Sequence, residues 1–153
     1  MAQTEERVEE LVRGLRANGH RLTPQRLAVL RVLAQSYEHP SVEQIYEQVR
    51  RRHSMISRGT VYKTVETLKA MGQVLELEFS GASNRYDARG VEPHPHLICR
   101  GCGNIRDLEL PALTREARKV AQRTGYELLG HRLDFYGLCP DCQRKRAVAR
   151  AAR

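Results

Sequence analysis

Two Cys-x-x-Cys pairs constrain this chain more than any other feature of its sequence. Cys99 and Cys102 form the first pair, Cys139 and Cys142 form the second, and the sequence contains four cysteines in all. Each pair lies at a turn, so that both of its thiolates can reach one ion. Four soft thiolates at the corners of a tetrahedron select zinc and leave no open coordination position. The spacing therefore predicts a structural four-cysteine site that holds one Zn(II) per chain.

Disulfides and thiol redox chemistry are the other roles open to these cysteines. The first residues, Met-Ala-Gln-Thr-Glu-Glu, contain no apolar segment, so we expect no secretory signal and a cytoplasmic chain. Structural disulfides are rare in that compartment. Redox-active Cys-x-x-Cys motifs usually occur as one pair at a helix start in a thioredoxin-like setting, and that pattern is absent. Zinc binding is the interpretation that accounts for all four cysteines.

Length and charge set broader limits. The 153 residues allow one domain of ordinary size or two small ones. No stretch approaches the roughly 20 apolar residues of a membrane span, so no membrane partner is expected. The net charge of +8 suggests a nucleic-acid partner only weakly, because much of it lies in a basic tail. The basic residues of that tail are Arg144, Lys145, Arg146, Arg150 and Arg153.

The first half of the chain has the pattern of helices followed by a hairpin. Apolar residues recur at three- and four-residue spacing, which predicts helices at about residues 5–17, 24–35, 41–52 and 57–70. Alternating apolar and acidic residues then predict a strand over 73–79, with a turn over 80–84 and a returning strand over 85–87. This order is that of a winged helix, in which the helix before the hairpin enters the DNA major groove.

The outer face of the fourth predicted helix carries Arg58, Tyr62 and Lys63. Arginine and lysine suit phosphate or guanine, and tyrosine suits a thymine methyl group or a phosphate. We therefore predict that these three residues contact DNA. Packing of Tyr62 under the wing is the alternative for that residue. The basic run 50–52 suits a phosphate contact or solvent rather than sequence reading.

The second half predicts a small α/β unit. Residues 88–95 contain one glycine and two prolines and are the best linker candidate. Beyond them we predict strands and a helix in the order strand, strand, helix, strand, at residues 96–99, 105–110, 111–123 and 126–136. About fifty residues are few for an independent hydrophobic core, so we expect this unit to need an additional cross-link, which the zinc site would supply.

Histidines near the first cysteine pair form a second candidate cluster. His94 and His96 alternate on an extended segment, which points both imidazoles to the same side. A solvated pair in a proline-rich loop is the alternative. Asp87 lies just upstream and Asp107 lies on the strand after the cysteine turn. Without further information, His39 would be interpreted as an exposed residue near a helix cap.

Six motifs occur together in a specific order: Arg21-Leu-Thr-Pro-Gln-Arg26, His39-Pro-Ser41, Thr60-Val-Tyr-Lys-Thr64, Arg85-Tyr-Asp87, His94-Pro-His-Leu-Ile-Cys-Arg-Gly-Cys-Gly103 and His131-Arg-Leu-Asp-Phe-Tyr-Gly-Leu-Cys-Pro-Asp-Cys142. On these motifs the chain resembles the ferric uptake regulator (Fur) family, from about residue 10 to residue 143. The resemblance implies a cytoplasmic homodimer of α+β class. It implies metal-dependent binding to palindromic operators in double-stranded DNA, usually as a repressor, and no enzymatic activity.

The resemblance also assigns the domains. It implies an N-terminal winged-helix DNA-binding domain over residues 1–88 and a hinge over 89–95. A small α/β dimerisation domain with the four-cysteine zinc site follows over 96–143, and a basic tail over 144–153.

By resemblance, the four cysteines match the family's structural zinc site. The residues that match its regulatory site at the domain junction are His39, Asp87, His94, His96 and Asp107. Three imidazoles and two carboxylates suit Fe(II), Mn(II) or Zn(II), and we expect one regulatory Fe(II) or Mn(II) per subunit. Aspartate rather than glutamate at position 87 is typical of the peroxide-sensing branch. In that branch the resemblance points to oxidation of His39 or His94 as the signal.

Two other functions stay open at this stage. An iron- or zinc-responsive repressor of the same family would use the same ligands without sensing peroxide. A zinc enzyme built on the His/Asp cluster is a distant alternative, because no catalytic signature accompanies that cluster. The further metal site of some family members is not expected here. Thr114 stands where those members carry an acid, and of their histidine set only His131 remains in addition to the regulatory ligands.

Overall fold

The computed structural model describes residues 2–78, 83–89 and 94–151. The chain divides into two compact units, Met1–Val91 (unit 1) and Glu92–Arg153 (unit 2). The division falls inside the predicted hinge, of which residues 90–93 lie outside the described residues. None of the helices in the described residues combines the length and apolar character that a bilayer span requires.

Unit 1 contains four helices followed by an antiparallel hairpin, and so has the predicted winged-helix order. The helices are α1 (Ala2–Ala17), α2 (Pro24–Gln35), α3 (Val42–Arg50) and α4 (Arg58–Ala70). The strands are β1 (Leu75–Leu77) and β2 (Arg85–Asp87), with Glu76 opposite Tyr86. Residue 79 and most of the predicted turn lie outside the described residues.

Local caps explain where three of these helices begin. The side chain of Thr23 accepts a hydrogen bond from the Arg26 amide, and Pro24 opens α2. Ser41 and Gln44 form a capping box at α3, and the Ser57 hydroxyl caps α4. These starts orient one apolar face of each helix inward. The fully buried side chains of the resulting core include Leu11, Leu15, Leu30, Leu33, Ile45, Val61, Val65 and Leu68.

Glu76 ties the hairpin to α4. Its carboxylate forms an ion pair with Lys69 of α4. It also accepts hydrogen bonds from the Asn84 amide, at 2.7 Å, and from the Tyr86 hydroxyl, at 3.1 Å. The Glu76 side chain is only 11% exposed. The bond from Lys69, followed by those from Asn84 and Tyr86, holds the pKa of Glu76 below its ordinary value.

Replacing Glu76 with glutamine should lower the free energy of unfolding of unit 1 by about 1–3 kcal/mol at neutral pH, because Lys69 and Tyr86 lose a charged acceptor. Folding lowers the pKa of this carboxyl. Its contribution is therefore complete above the ordinary value of 4.5 and is lost as the pH falls through the lower folded value. Urea denaturation at neutral pH and in acid measures this, with the exposed Glu9→Gln variant as control. If the free energies of unfolding of wild type and Glu76→Gln still differed in acid, the ionised Glu76 carboxylate would not be the source of the stabilisation.

Unit 2 contains a three-stranded sheet and two helices. Its elements are β3 (His96–Cys99), β4 (Ile105–Asp107), α5 (Pro111–Thr124), β5 (Asp134–Gly137) and α6 (Pro140–Ala151). The strand order is β4-β3-β5, in which β3 pairs antiparallel with β4 and parallel with β5. Because parallel strands end at the same edge of a sheet, Cys99 at the end of β3 lies beside Gly137 at the end of β5.

The structure differs from the sequence prediction at three places in unit 2. The strand predicted over 126–136 is shortened to β5, Asp134–Gly137, because its partner β3 has only four residues with which to pair. The strand predicted over 105–110 ends at Asp107 for the same reason, because β3 begins at His96, its partner. The basic tail predicted from residue 144 belongs, through Ala151, to α6, a helix that the sequence analysis did not predict.

Candidate metal centres

The four cysteines lie together at the shared edge of β3 and β5. The four Sγ atoms all lie within 4.8 Å of one another, and Cys102 Sγ lies 3.8 Å from Cys139 Sγ. Zn–S bonds of about 2.3 Å give a tetrahedron with edges of about 3.8 Å. All four cysteines are free thiols, so disulfides do not account for the cluster. The predicted four-cysteine cluster is therefore present, with a donor set and spacing that fit zinc.

Backbone amides favour the thiolate form of Cys99. Its sulfur accepts hydrogen bonds from the amides of Cys139, at 3.2 Å, and Gly101, at 3.4 Å. The bond from Cys139, followed by one from Cys102, lowers the pKa of Cys99 to about 6. The pKa of Cys142 rises to about 12, chiefly because it shares a hydrogen bond with the Cys139 thiol. A divalent cation would replace these shared protons and hold all four groups as thiolates.

Gly101 lets the first cysteine turn approach the second pair. A Cβ atom at this position would lie 2.8 Å from Cys142 Sγ and 2.9 Å from Cys142 Cβ. Those distances are shorter than van der Waals contact, so a larger residue would push the two cysteine pairs apart. The glycine between Cys99 and Cys102 is thus part of the cluster's construction.

Three predicted regulatory ligands lie together within unit 2. His94 Nε2 is 3.4 Å and His96 Nε2 is 3.8 Å from the same oxygen, Oδ1 of Asp107. The register places His96 opposite Asp107 in the β3–β4 pair, and His94 lies two residues earlier, with its ring centroid 4.6 Å from that of His96. Two imidazoles and a carboxylate converging in this way can ligate a divalent ion of the first transition series. The alternative of two solvated histidines is not observed, since His96 is buried.

Asp134 orients His96 from the opposite side, and sequence reasoning missed it. Its Oδ1 lies 3.4 Å from His96 Nδ1, while Arg132 Nε donates to its Oδ2 at 2.7 Å. A carboxylate on one imidazole nitrogen fixes the ring and leaves the other nitrogen for a metal. Asp134 lies within a motif that carried the family resemblance. Its role depends on the parallel β3–β5 register, which nothing local in the sequence indicates.

The other two predicted regulatory ligands lie together within unit 1. His39 Nε2 is 3.7 Å from Asp87 Oδ2, and both side chains are 2% exposed. His39 is therefore not the exposed residue near a helix cap that local reasoning favours. Its φ is 49°, and it is the one non-glycine residue with positive φ among the described residues. That left-handed conformation is unfavourable by about 1–2 kcal/mol for a residue with a side chain.

The predicted DNA-contacting residues share the exposed face of α4. Arg58 and Lys63 are exposed, and Tyr62 is 54% exposed, so Tyr62 does not pack under the wing. The guanidinium carbon of Arg58 lies 5.3 Å from the centre of the Tyr46 ring on α3, within the range of a cation–π contact. This face presents two cations and an aromatic ring to solvent.

The side chain of Thr114 lies outside the described part of the chain. The absence of a further metal site therefore stays a prediction.

Comparison with known proteins identifies relatives of this chain. The sequence profile of the ferric uptake regulator family matches residues 17–136. The peroxide-responsive repressor PerR of Staphylococcus aureus is 37% identical over 141 residues, which cover 92% of this chain and 95% of that protein.

Solved structures give the same result. The ferric uptake regulator Fur of Helicobacter pylori, described as having three functional metal-binding sites, is similar with a TM-score of 0.77 and 28% identity over 92% of this chain and 93% of its own. The Campylobacter jejuni peroxide stress regulator is similar with a TM-score of 0.67 and 30% identity, over 76% and 86% of the two chains.

Proposed function

The chain belongs to the ferric uptake regulator family, and on that premise we propose that it is a metal-dependent, DNA-binding repressor that senses peroxide. As a member of a regulator family, it acts on transcription and is not an enzyme. The observation that carries the proposal is the convergence of His94, His96 and Asp107, with His39 and Asp87 as a second buried pair. The name of the Staphylococcus aureus relative, a peroxide-responsive repressor, supports the same function.

Two metal sites per subunit follow from the two kinds of donor. The four-cysteine cluster holds a structural Zn(II), because four thiolates leave no position for a reactant. The three imidazoles and two carboxylates hold one Fe(II) or Mn(II), ions that prefer nitrogen and oxygen donors. Two carboxylates balance the charge of a divalent ion and would repel each other without it.

The regulatory ligands come from both units, which suggests how metal controls DNA binding. His39 and Asp87 belong to unit 1, and the other three ligands belong to unit 2. One ion shared by all five would restrict the angle between the units. In a cytoplasmic homodimer, that restriction would let both α4 helices reach successive major grooves of a palindromic operator. Arg58, Tyr62 and Lys63 would then contact the DNA.

Peroxide sensing adds one chemical step at the histidine ligands. Iron held by those ligands would supply the redox catalysis that activates hydrogen peroxide, with no net gain or loss of electrons by the ion. The imidazole of His39 or His94 takes up one oxygen atom of the peroxide, and the other oxygen leaves as water. An oxidised imidazole is a poor ligand, so the site loses its metal, and the dimer opens and leaves DNA. Manganese would support DNA binding without this chemistry.

Peptide mass spectrometry after brief peroxide exposure tests the proposal. We expect the peptides that contain His39 or His94 to gain one oxygen in Fe(II)-loaded protein and not in Mn(II)-loaded protein. Peptides that contain His20 or His53, which belong to neither metal cluster, serve as internal controls. No gain at His39 or His94 would favour a metal-responsive repressor without peroxide sensing, in which the same five ligands report iron or zinc.

A further inference from the structure

Three consecutive carbonyl groups of the loop between α2 and α3 accept hydrogen bonds from β2. Arg85 Nη2 donates to the Glu38 carbonyl at 2.9 Å, and Arg85 Nε donates to the His39 carbonyl. The Tyr86 amide donates to the Pro40 carbonyl at 3.1 Å. The loop is therefore fastened along the free edge of β2, and one guanidinium provides two of its three attachments.

His39, whose carbonyl is one of the three, has a backbone conformation that is unfavourable unless neighbouring groups hold it. His39 has a φ of 49° and is followed by Pro40, which biases the preceding residue towards extended backbone. Its side chain is nevertheless buried, 3.7 Å from Asp87, at the far end of the same strand as Arg85. A residue held in such a conformation relaxes unless its surroundings determine it.

We propose that Arg85 is a positioning residue for metal sensing. By holding the Glu38 and His39 carbonyls, it keeps His39 in the left-handed conformation that directs its imidazole at Asp87. Arg85 binds neither the ion nor DNA in this scheme. The proposal rests on the proposed function for the role of His39 as a ligand, whereas the fastening of the loop concerns the metal-free protein as well.

The arrangement requires arginine rather than any cation. Two N–H groups in a fixed planar fork reach two carbonyl oxygens at once. A lysine of similar length has one compact ammonium group and cannot reproduce the fork. Arg85→Lys therefore preserves the charge and removes the paired attachment.

A matched control exists in the same unit. Arg26 also donates from its guanidinium to a backbone carbonyl, that of Arg21, at 2.8 Å. It lies at the start of α2 and has no bond to the loop that carries His39. Arg26→Lys thus measures the effect of losing a guanidinium–carbonyl bond in unit 1 that does not involve His39.

The first test measures hydrogen exchange in protein that keeps its structural zinc and has no Fe(II) or Mn(II) bound. In Arg85→Lys we expect the amides of Ser41 and Tyr86 to exchange at least tenfold faster, while amides of α4 keep the wild-type rate. Arg26→Lys should leave both sets unchanged. Equal exchange of the Ser41 and Tyr86 amides in wild type and Arg85→Lys would overturn the proposal. Arg85→Gln gives the same readings if the lysine variant is too unstable to study.

The second test measures the metal-bound state. We expect Arg85→Lys to bind Mn(II) about tenfold more weakly, in the range of other groups that orient metal ligands. In Fe(II)-saturated protein treated with peroxide, the ratio of oxidation at His39 to that at His94 should fall. Faster exchange with unchanged Mn(II) affinity and an unchanged ratio would overturn the positioning role. If wild type itself binds neither Mn(II) nor Fe(II), the proposed function fails, and the exchange experiment still decides whether Arg85 holds the loop.

Discussion

We expect the Asp107→Ala protein to lose metal-dependent DNA binding while it keeps its zinc. Asp107 is the carboxylate that the imidazoles of His94 and His96 approach, at 3.4 and 3.8 Å. Without it, two neighbouring imidazoles lose the negative charge that would balance a cation. Loss of a direct ligand should weaken Mn(II) binding by at least the roughly 100-fold seen when groups behind a ligand are removed. The four-cysteine cluster does not include Asp107, so zinc content should not change.

DNA fragments that wild-type protein selects in the presence of Mn(II) provide the binding assay for this variant. Glu109→Ala is the matched control, because Glu109 is an exposed acid two residues further along the same segment. We expect Glu109→Ala to bind these fragments as wild type does. Unchanged Mn(II)-dependent binding by Asp107→Ala would show that the His/Asp cluster does not control DNA binding.

Replacing Cys139 with serine should remove zinc and unfold unit 2, with loss of the dimer. The Cys139 sulfur is one of the four in the cluster and lies 3.8 Å from Cys102 Sγ of the other pair, so its loss weakens both cysteine pairs. Binding of structural zinc contributes about 10–16 kcal/mol in small zinc domains, which exceeds the usual stability of a small unit. The helices of unit 1 have their own core and should stay folded.

Metal analysis, circular dichroism and sedimentation measure these three effects of Cys139→Ser. Asp141→Ser is the control, since Asp141 lies between the two cysteines and is exposed in an ion pair with Arg144. Surface pairs of this kind contribute little to stability. A Cys139→Ser protein that remains a dimer with an intact unit 2 would contradict the structural role of zinc.

Local signals in the sequence were sufficient for the features that depend on near neighbours. The apolar spacing predicted where α2, α3 and α4 lie, and the structure shows caps at Thr23, Ser41 and Ser57 at their first turns. The two Cys-x-x-Cys pairs predicted one shared four-cysteine site, because each pair lies at a turn and four thiolates suit a single zinc ion. The winged-helix order followed from the change of apolar spacing after Gly72.

Features that depend on distant pairing could not be predicted in this way. The lengths of β4 and β5 are set by β3, which pairs with both, and not by their own alternation. The loop that carries His39 is bonded to Arg85 of β2, which lies 46 positions from His39 and 47 from Glu38 along the chain. The same holds for Asp134, which acts on a histidine in a different strand.

The parallel pairing of β3 with β5 also governs the order of events during synthesis. Most helix contacts in unit 1 join elements that are consecutive in the chain, and such local contacts form quickly. The cysteine cluster joins residues 40 positions apart, as Cys99 and Cys139 are, and waits for a long loop to close. During synthesis, Cys99 is made 40 residues before Cys139. Unit 1 can therefore acquire its shape while the zinc site is still incomplete, and zinc supply limits maturation of unit 2 alone.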